Sequence, residues 1–347
     1  MPFPAIFPPT GLTVLVPAYN EARHIRQTIR SLQWQTTPPD RIVVIDDCST
    51  DGTGDIARSL GVTVLRPPAN TGSKAGAQTF ALAAVRTRFT MVVDADTTLA
   101  RDAVELILPG LNDRTVAAAC GFVVPRHVSS LWERGRYIEY LYSFTFHKQI
   151  QDYFRRPLIC SGCFSVYRTD VLRSVGGWSD RTMAEDMDLT WTLYQRGWSA
   201  RFVPEAVCYP VEPHDFNFIC KQLKRWSHGF IQNVRLHGRG IMRLRYLFAA
   251  VVASLFDAVL GALVYVLMLP LLSLLVSRLF LLGYVIDAPV VLLQVVIAGR
   301  ARGEVGKALG SLPAYFVLRV VNSYQLLKAL WLEMVLRRRL DVYEKGH

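Results

Sequence analysis

The 347-residue chain predicts an α/β domain with a doubly wound sheet, followed by a helical membrane region. Short β-branched apolar runs at 12–17, 41–45 and 89–93 read as buried strands, with helical periodicity between them. Two of these runs end on carboxylates, Asp46-Asp47 and Asp94-Ala95-Asp96, where a parallel strand releases its chain into a ligand crevice. The third observation is a change of composition. After about residue 240 the sequence is almost continuously apolar over 246–276 and again over 279–298, each run long enough to cross a bilayer.

The elements follow in order. The strand at 12–17 is followed by Asn20, an expected N-cap for a helix reaching about 35, with Ile25, Ile29 and Leu32 at helical spacing. The strand at 41–45 leads to Asp51-Gly52, which turns the chain into a helix over 53–60 and a strand over 62–65. A helix over 74–85 precedes the strand at 89–93, and this alternation argues for parallel pairing. Beyond Asp96 the alternation loosens into a helix at 101–108, a strand at 117–124, a long helix at 131–153 and a strand at 158–167. Residues 187–195 read as helix, which sets Ala184-Glu185-Asp186 at its N-terminus, where the helix dipole favours an ionised carboxylate. A helix over 216–236 carries Gln222, Arg225 and Trp226 on one face at i, i+3 and i+4. The expected organisation is a donor half at about 10–100, an acceptor half at 101–240 and a membrane region at 241–347.

The net charge of +11 invites a nucleic-acid reading, but much of the excess flanks the apolar runs. Arg235, Arg239, Arg243 and Arg245 precede them, Arg300, Arg302 and Lys307 follow the second, and Arg337-Arg338-Arg339 close the region. Basic flanks of this kind mark the cytoplasmic ends of membrane helices. Three cytoplasmic basic clusters require an even number of crossings, which favours spans at about 246–270 and 275–298. The third apolar stretch, 312–336, carries Arg319, Asn322, Lys328 and Glu333 and is expected to lie in the interface or to form a third span. Met1-Pro2-Phe3-Pro4-Ala5 lacks the basic and apolar regions of a secretory signal, so the N-terminal domain is expected in the cytoplasm. Cys160 and Cys163 have C-x-x-C spacing without a second pair, which reads as free thiols in a reducing compartment rather than a metal or redox centre.

Glycosyl transfer from a nucleoside diphosphate needs a counter-charge for the leaving diphosphate, a base for the acceptor hydroxyl and a surface for two sugars. Asp94 and Asp96, one residue apart at a strand end, suit a hard divalent cation, Mg2+ or Mn2+. Asp186 is positioned to take the acceptor proton. Arg225 offers a planar fork for phosphate oxygens, and Trp226 a flat face for a sugar ring. Asp46 and Asp47 have no metal-spacing partner and suit hydrogen bonds from base and ribose. Lys74, in Thr71-Gly72-Ser73-Lys74, lacks the spacing of a nucleotide-triphosphatase loop and is grouped with the donor nucleotide together with Gln222. Each of these features alone has an ordinary explanation, such as a charged helix start or an interfacial tryptophan; their joint order carries the reading.

Over residues 12–235 the chain resembles the membrane-bound, inverting family-2 glycosyltransferases of GT-A fold, which include cellulose, chitin, hyaluronan and poly-N-acetylglucosamine synthases. The matches are Val16-Pro17-Ala18-Tyr19-Asn20-Glu21, Asp46-Asp47-Cys48-Ser49-Thr50-Asp51, Asp94-Ala95-Asp96, Ser161-Gly162, Ala184-Glu185-Asp186 and Gln222-x-x-Arg225-Trp226. The resemblance implies a doubly wound mixed sheet, a UDP-sugar donor, uridine contacts at Asp46 and Asp47, and a metal ion at Asp94 and Asp96. It also implies Asp186 as base, and an acceptor surface at Ser161, Gly162, Glu185 and Trp226. Cys48 and Ala184 depart from the usual glycine and threonine, and membrane helices usual before the catalytic domain are not seen before residue 12. The expected activity is extension of a β-linked polysaccharide at the cytoplasmic membrane face. The competing expectations are single transfer to a polyprenyl-phosphate or glycolipid, and a non-catalytic sugar-nucleotide-binding subunit. The expected partners are the donor, a glycan or lipid-linked acceptor and the bilayer, with a second copy or an export partner left open and nucleic acid excluded.

Overall fold

Chain order gives β1 (Leu12–Ala18), β2 (Arg41–Asp46), β3 (Thr63–Leu65), β4 (Phe89–Val93), β5 (Thr98–Leu99), β6 (Val116–Val123), β7 (Phe164–Arg168) and β8 (Ser199–Tyr209). Together they build one sheet in the order β3-β2-β1-β4-β7-β6-β8-β5. The structure, a computed structural model, describes residues 10–340. It falls into two units. The first comprises the chain up to Val123, Gln151–Arg181 and Glu185–Val211; the second comprises Val124–Ile150, Thr182–Ala184 and the chain from Glu212.

The first unit holds the sheet. β1 pairs in parallel with β2 and β4, and β2 with β3, as the strand and helix alternation predicts. Parallel pairing fails beyond β4: β7 is antiparallel to both β4 and β6, β8 is parallel to β6, and β5 is antiparallel to β8. The sheet is therefore mixed. Leu12, Val14, Leu15 and Val16 of β1 and all of β6 are buried, because both faces of these central strands are covered; accordingly neither sequence carries a charge. The helices of this unit are α1 (Ile25–Gln33), α2 (Thr53–Ser59), α3 (Lys74–Leu82), α4 (Ala103–Ile107) and, later in the chain, α7 (Thr169–Ser174) and α8 (Glu185–Gln195).

Several local expectations change. Asn20 does not cap the first helix. It sits at φ +54 with its Oδ1 accepting from the Thr50 amide at 2.8 Å, and α1 begins at Ile25 behind an uncapped His24. The strand expected at 158–167 contracts to β7, since Phe164 N bonds the Ser161 carbonyl and turns the preceding residues into a loop. β8, β5 and α7 have no clear sequence signal. β8 carries Arg201, Pro204 and Glu205, and its pairing with β6 slips between Gly121 and Phe122.

The second unit is helical: α5 (Leu131–Tyr142), a π turn at Ser143–His147 leading into the first half of α6 (Lys148–Tyr153), α9 (Phe216–Ile241), α10 (Arg245–Leu263), α11 (Leu269–Leu275), α12 (Ala288–Ala301) and α13 (Val305–Leu330). Ser130 and Glu133 form a reciprocal capping box at the start of α5, and Asp215 accepts from Phe218 N at the start of α9. α13 packs on α5, α9, α10 and α12. Gly135 lets α5 approach α13 closely, since a Cβ there would lie 2.9 Å from Leu318 Cβ and 3.0 Å from the Ala314 carbonyl oxygen.

Two helical runs, Arg245–Leu275 and Arg278–Ala301, are 31 and 24 residues long with mean hydropathy 2.5 and 2.2, long and apolar enough to cross a membrane. The first is interrupted by a π turn at Val264–Met268, and the second opens as a 3-10 segment at Arg278–Val285. The last apolar helix begins at Val305, earlier than the expected 312, and carries Pro313 in its interior before ending in a π turn at Trp331–Val335. The expectation about a signal at residues 1–5 lies outside the described residues.

Candidate active site

In the first unit the sheet brings five expected residues, Lys74, Asp94, Gly162, Glu185 and Asp186, to one place. α3 starts at Lys74 because Ser73, in extended conformation, accepts from Gly76 N at 3.0 Å. From there the Lys74 ammonium pairs with Asp94, at the end of β4, donates to the Gly162 carbonyl oxygen at 3.0 Å and lies 3.6 Å from Glu185 Oε1. Asp186 completes the group: its Oδ2 accepts from Gly162 N at 2.8 Å and its Oδ1 from Met187 N at 2.9 Å. The Asp94 amide reaches the Cys163 carbonyl at 3.4 Å, which ties the 161–163 loop to the β4 carboxylate. The side chains remain open to solvent in part, 20% for Lys74, 32% for Asp94 and 18% for Glu185.

The electrostatics follow from three carboxylates, Asp94, Glu185 and Asp186, around one ammonium. Burial would lower the Lys74 pKa, but Asp94 and Glu185 overcome it and hold the amine well above its ordinary value, firmly protonated. Asp94 is pushed up to about 6 by burial and by Asp96, against the pull of Lys74. Asp186 is likewise pushed up to about 6 by burial and by Glu185, against Lys74 and the amides of Gly162 and Met187. The cluster carries more negative charge than Lys74 balances. Among the described residues no three His, Cys, Asp or Glu side chains form a ready-made metal cage. The donor chemistry nevertheless fits a hard cation: Asp94 and Asp96 supply carboxylate oxygens, and magnesium or manganese commonly takes one or two carboxylates and completes its shell with water and phosphate.

Asp46 and Asp47, 1% and 5% exposed, are not part of this cluster. Asp46 Oδ2 pairs with Arg66 Nη1 at 2.5 Å and Oδ1 accepts from Ser49 N at 3.0 Å, while Gly54 leaves room for the carboxylate. Asp47 accepts from the Thr71 amide at 2.8 Å and hydroxyl at 2.9 Å. Both carboxylates therefore also organise the loops that carry them, a role with no sequence signal, because Arg66 and Thr71 lie in a separate loop. Ser161 accepts through its carbonyl from Ser165 Oγ at 2.7 Å, and Gly162 contributes both its amide and its carbonyl to the site.

Gln222, Arg225 and Trp226 lie on α9 in the second unit. Gln222 Oε1 accepts from Arg136 Nη2 at 2.6 Å and its amide nitrogen reaches Glu212 Oε2 at 3.4 Å. Trp226 is 38% exposed, with the Arg136 guanidinium 4.3 Å from its ring centre, and Arg225 is half-buried. Arg136 and Glu212 are absent from the expected residues. The only sequence signal for Arg136 is its i, i+3 spacing to Glu139.

The mixed sheet ending in paired carboxylates, with a lysine, a loop glycine and a helix-start Glu-Asp gathered beside it, is a GT-A-like α/β domain. Residues 13–176 match the family model Glycosyl transferase family 2. It is 31% identical over 233 residues to the probable glycosyltransferase YdaM of Bacillus subtilis (strain 168), and 25% identical over 223 residues to the poly-β-1,6-N-acetyl-D-glucosamine synthase of Staphylococcus aureus (strain COL). Each comparison covers 63% of this chain and 54% of the relative, so the chain spans about half the length of these curated relatives. Among solved structures it is similar in fold to the mannosyltransferase PcManGT from Pyrobaculum calidifontis, in complex with GDP-Man and Mn2+. The TM-score is 0.61 at 19% identity, over 94% of this chain and 88% of that one.

Proposed function

We propose that the protein transfers a sugar, with inversion, from a UDP-sugar to a growing β-linked glycan at the cytoplasmic face of a membrane. The observation that carries this reading is the convergence of Asp94, Glu185 and Asp186 on Lys74, with Asp186 held near a pKa of 6. A carboxylate in that range is ionised at neutral pH and still basic enough to accept a proton. In the transfer, Asp186 takes the proton of the acceptor hydroxyl as its oxygen bonds to the anomeric carbon. The bond from that carbon to the diphosphate breaks on the opposite face and UDP leaves with the electron pair.

Lys74 and Arg225 supply positive charge toward the diphosphate, and Gln222 contacts the donor. Asp46 and Asp47, each with acceptor capacity beyond its protein partners, serve the uridine end. Asp94 and Asp96 would hold Mg2+ or Mn2+, which when bound neutralises charge on the departing diphosphate. Ser161, Gly162 and Glu185 in the first unit are assigned to the acceptor, as is Trp226 in the second. The similarity to a poly-N-acetylglucosamine synthase supports UDP-N-acetylglucosamine as the first donor to try. The two long apolar helices with basic flanks support membrane attachment with two crossings and both flanks cytoplasmic.

The test is nucleotide release by the full chain in lipid across a panel of UDP-sugars with magnesium or manganese, with the labelled product sized. Metal-dependent release with a ladder of long products is expected. A single short, lipid-extractable product would replace polymer extension by transfer to a glycolipid or polyprenyl-phosphate. Donor binding without turnover by any sugar would reduce the chain to a binding subunit.

A further inference from the structure

Arg136 is fully buried on α5, and every group it touches belongs to the same helical unit as Trp226. Its Nη1 pairs with Glu139, one turn along α5. Its Nη2 donates to Gln222 Oε1 at 2.6 Å, and its Nε lies 3.7 Å from Glu212 Oε2. Glu212, itself 4% exposed, accepts from the Tyr140 hydroxyl at 2.8 Å through its other oxygen. The guanidinium carbon also lies 4.3 Å from the centre of the Trp226 ring and 5.7 Å from that of Tyr140. Burial alone would lower the Arg136 pKa, but Glu139 and Glu212 raise it, so a full positive charge sits against the indole.

We propose that Arg136 is the positioning residue of the acceptor platform. It fixes Gln222 and Trp226, one turn apart on α9, through a single guanidinium that covers one face of the indole and leaves the rest open for a sugar ring. The role rests on the proposed acceptor function of Trp226. Three features separate it from an ordinary buried ion pair. The planar fork is used in two directions at once, toward Gln222 and toward Glu139. The guanidinium carbon lies over the indole at cation–π distance, 4.3 Å from the ring centre. Arg136 is completely buried while the ring it holds is 38% exposed, the arrangement of a support beneath a contact surface.

The experiment uses the full chain in detergent micelles, labelled with 5-fluorotryptophan. Its seven tryptophans give seven fluorine resonances, and Trp226 is assigned by its loss in Trp226→Phe. A β-1,6-linked N-acetylglucosamine tetramer is titrated in. In the wild type the Trp226 resonance is expected to move with added glycan. Arg136→Lys keeps the charge and loses the plane, so it is expected to shift that resonance before any glycan is added and to weaken glycan affinity about tenfold. The double variant Arg136→Lys with Trp226→Phe is expected to bind no more weakly than Trp226→Phe alone, because both changes remove one unit.

If Arg136→Lys does not fold, Glu139→Gln removes one anchor of the guanidinium and is expected to cost about threefold. A responsive wild type with unchanged affinity in the folded Arg-to-Lys or Glu-to-Gln variant overturns the positioning role alone, as does a double variant whose losses multiply. A wild-type Trp226 resonance that ignores the glycan overturns the acceptor reading, and this role with it.

Discussion

The amide of Gly162 donates to Asp186 Oδ2 at 2.8 Å while the carbonyl of the same residue accepts from Lys74 at 3.0 Å. One peptide position thus orients the proposed base and its counter-charge together. A Cβ on Gly162 would lie 3.0 Å from Lys74 Nζ and 3.1 Å from Asp186 Oδ2, closer than the side chains tolerate without moving. Gly162→Ala is expected to lower kcat by about 10- to 100-fold, since small misplacements of a reacting group have effects of that order. UDP affinity, measured by calorimetry, is expected to change much less. Equal losses in both would mean that Gly162 serves donor binding instead.

The pH dependence follows from Asp186. Because its carboxyl is pushed up to about 6, kcat/KM is expected to rise as pH increases through about 6 and then level. Stability runs the other way. Asp94 and Asp186 both titrate higher in the folded chain than the ordinary carboxylate value of 3.8, so the folded state binds more protons between about 4 and 6. Their contribution is present below about 4 and is lost as pH rises through about 6. Magnesium or manganese is therefore expected to raise Tm more at pH 7.5 than at pH 5, and a cation effect independent of pH would contradict this balance.

Lys74→Met removes the one ammonium that faces Asp94 and Glu185 in this cluster. The acid limb of the rate profile is expected to move up by roughly one pH unit, with turnover reduced at every pH. An unshifted limb in an active variant would show that Lys74 does not act on the base electrostatically.

Within the helical unit, α9 holds Thr182–Ala184, the residues just before Glu185 in the chain. Asn233 Nδ2 reaches Thr182 Oγ1 at 3.1 Å and the carbonyls of Ala184 at 3.2 Å and Gly229 at 2.9 Å. Gln232 accepts from Met183 N at 2.9 Å and donates to Glu333 at 2.7 Å, which also bonds His228 at 2.8 Å. Asn233 is fully buried, so Asn233→Ala leaves acceptors unsatisfied and is expected to cost about 1–3 kcal/mol in chemical denaturation. Gly229→Ala is expected to be worse, because its Cβ would lie 2.7 Å from Ala184 Cβ.

Membrane attachment is tested on the exposed face of α10. Leu260, 49% exposed, lies inside the run Arg245–Leu275. Leu260→Arg is expected to cost about 3 kcal/mol of insertion and to move protein out of the carbonate-resistant membrane fraction. Wild type and variant both released by carbonate would show that this helix does not cross the bilayer.

The strands that were legible in the sequence are those whose interiors carry no charge. β1, β2 and β4 lie within a residue of their expected ends, and Asp94 follows β4 directly. β8 was not legible because Pro204 and Glu205 break its apolar pattern and its pairing depends on a slipped register with β6. The acidic positions could be read because helix starts and strand ends are local features. Their partners could not: Arg66, Thr71 and Arg136 reach Asp46, Asp47 and Trp226 across separations that no periodicity encodes. Lys74 is an intermediate case, since its helix start was visible but its pairing with Asp94 depends on β4 lying beside β1.

The most direct test of the central claim is UDP release from UDP-N-acetylglucosamine and the other UDP-sugars by wild type and Asp186→Asn in lipid, with UDP affinity measured on both. The account predicts that release falls at least about a thousandfold in the variant while UDP still binds, as expected when a general base is lost from an intact site. Release that persists in Asp186→Asn at a comparable rate would contradict the assignment of Asp186 as the base and, with it, the mechanism built on this cluster.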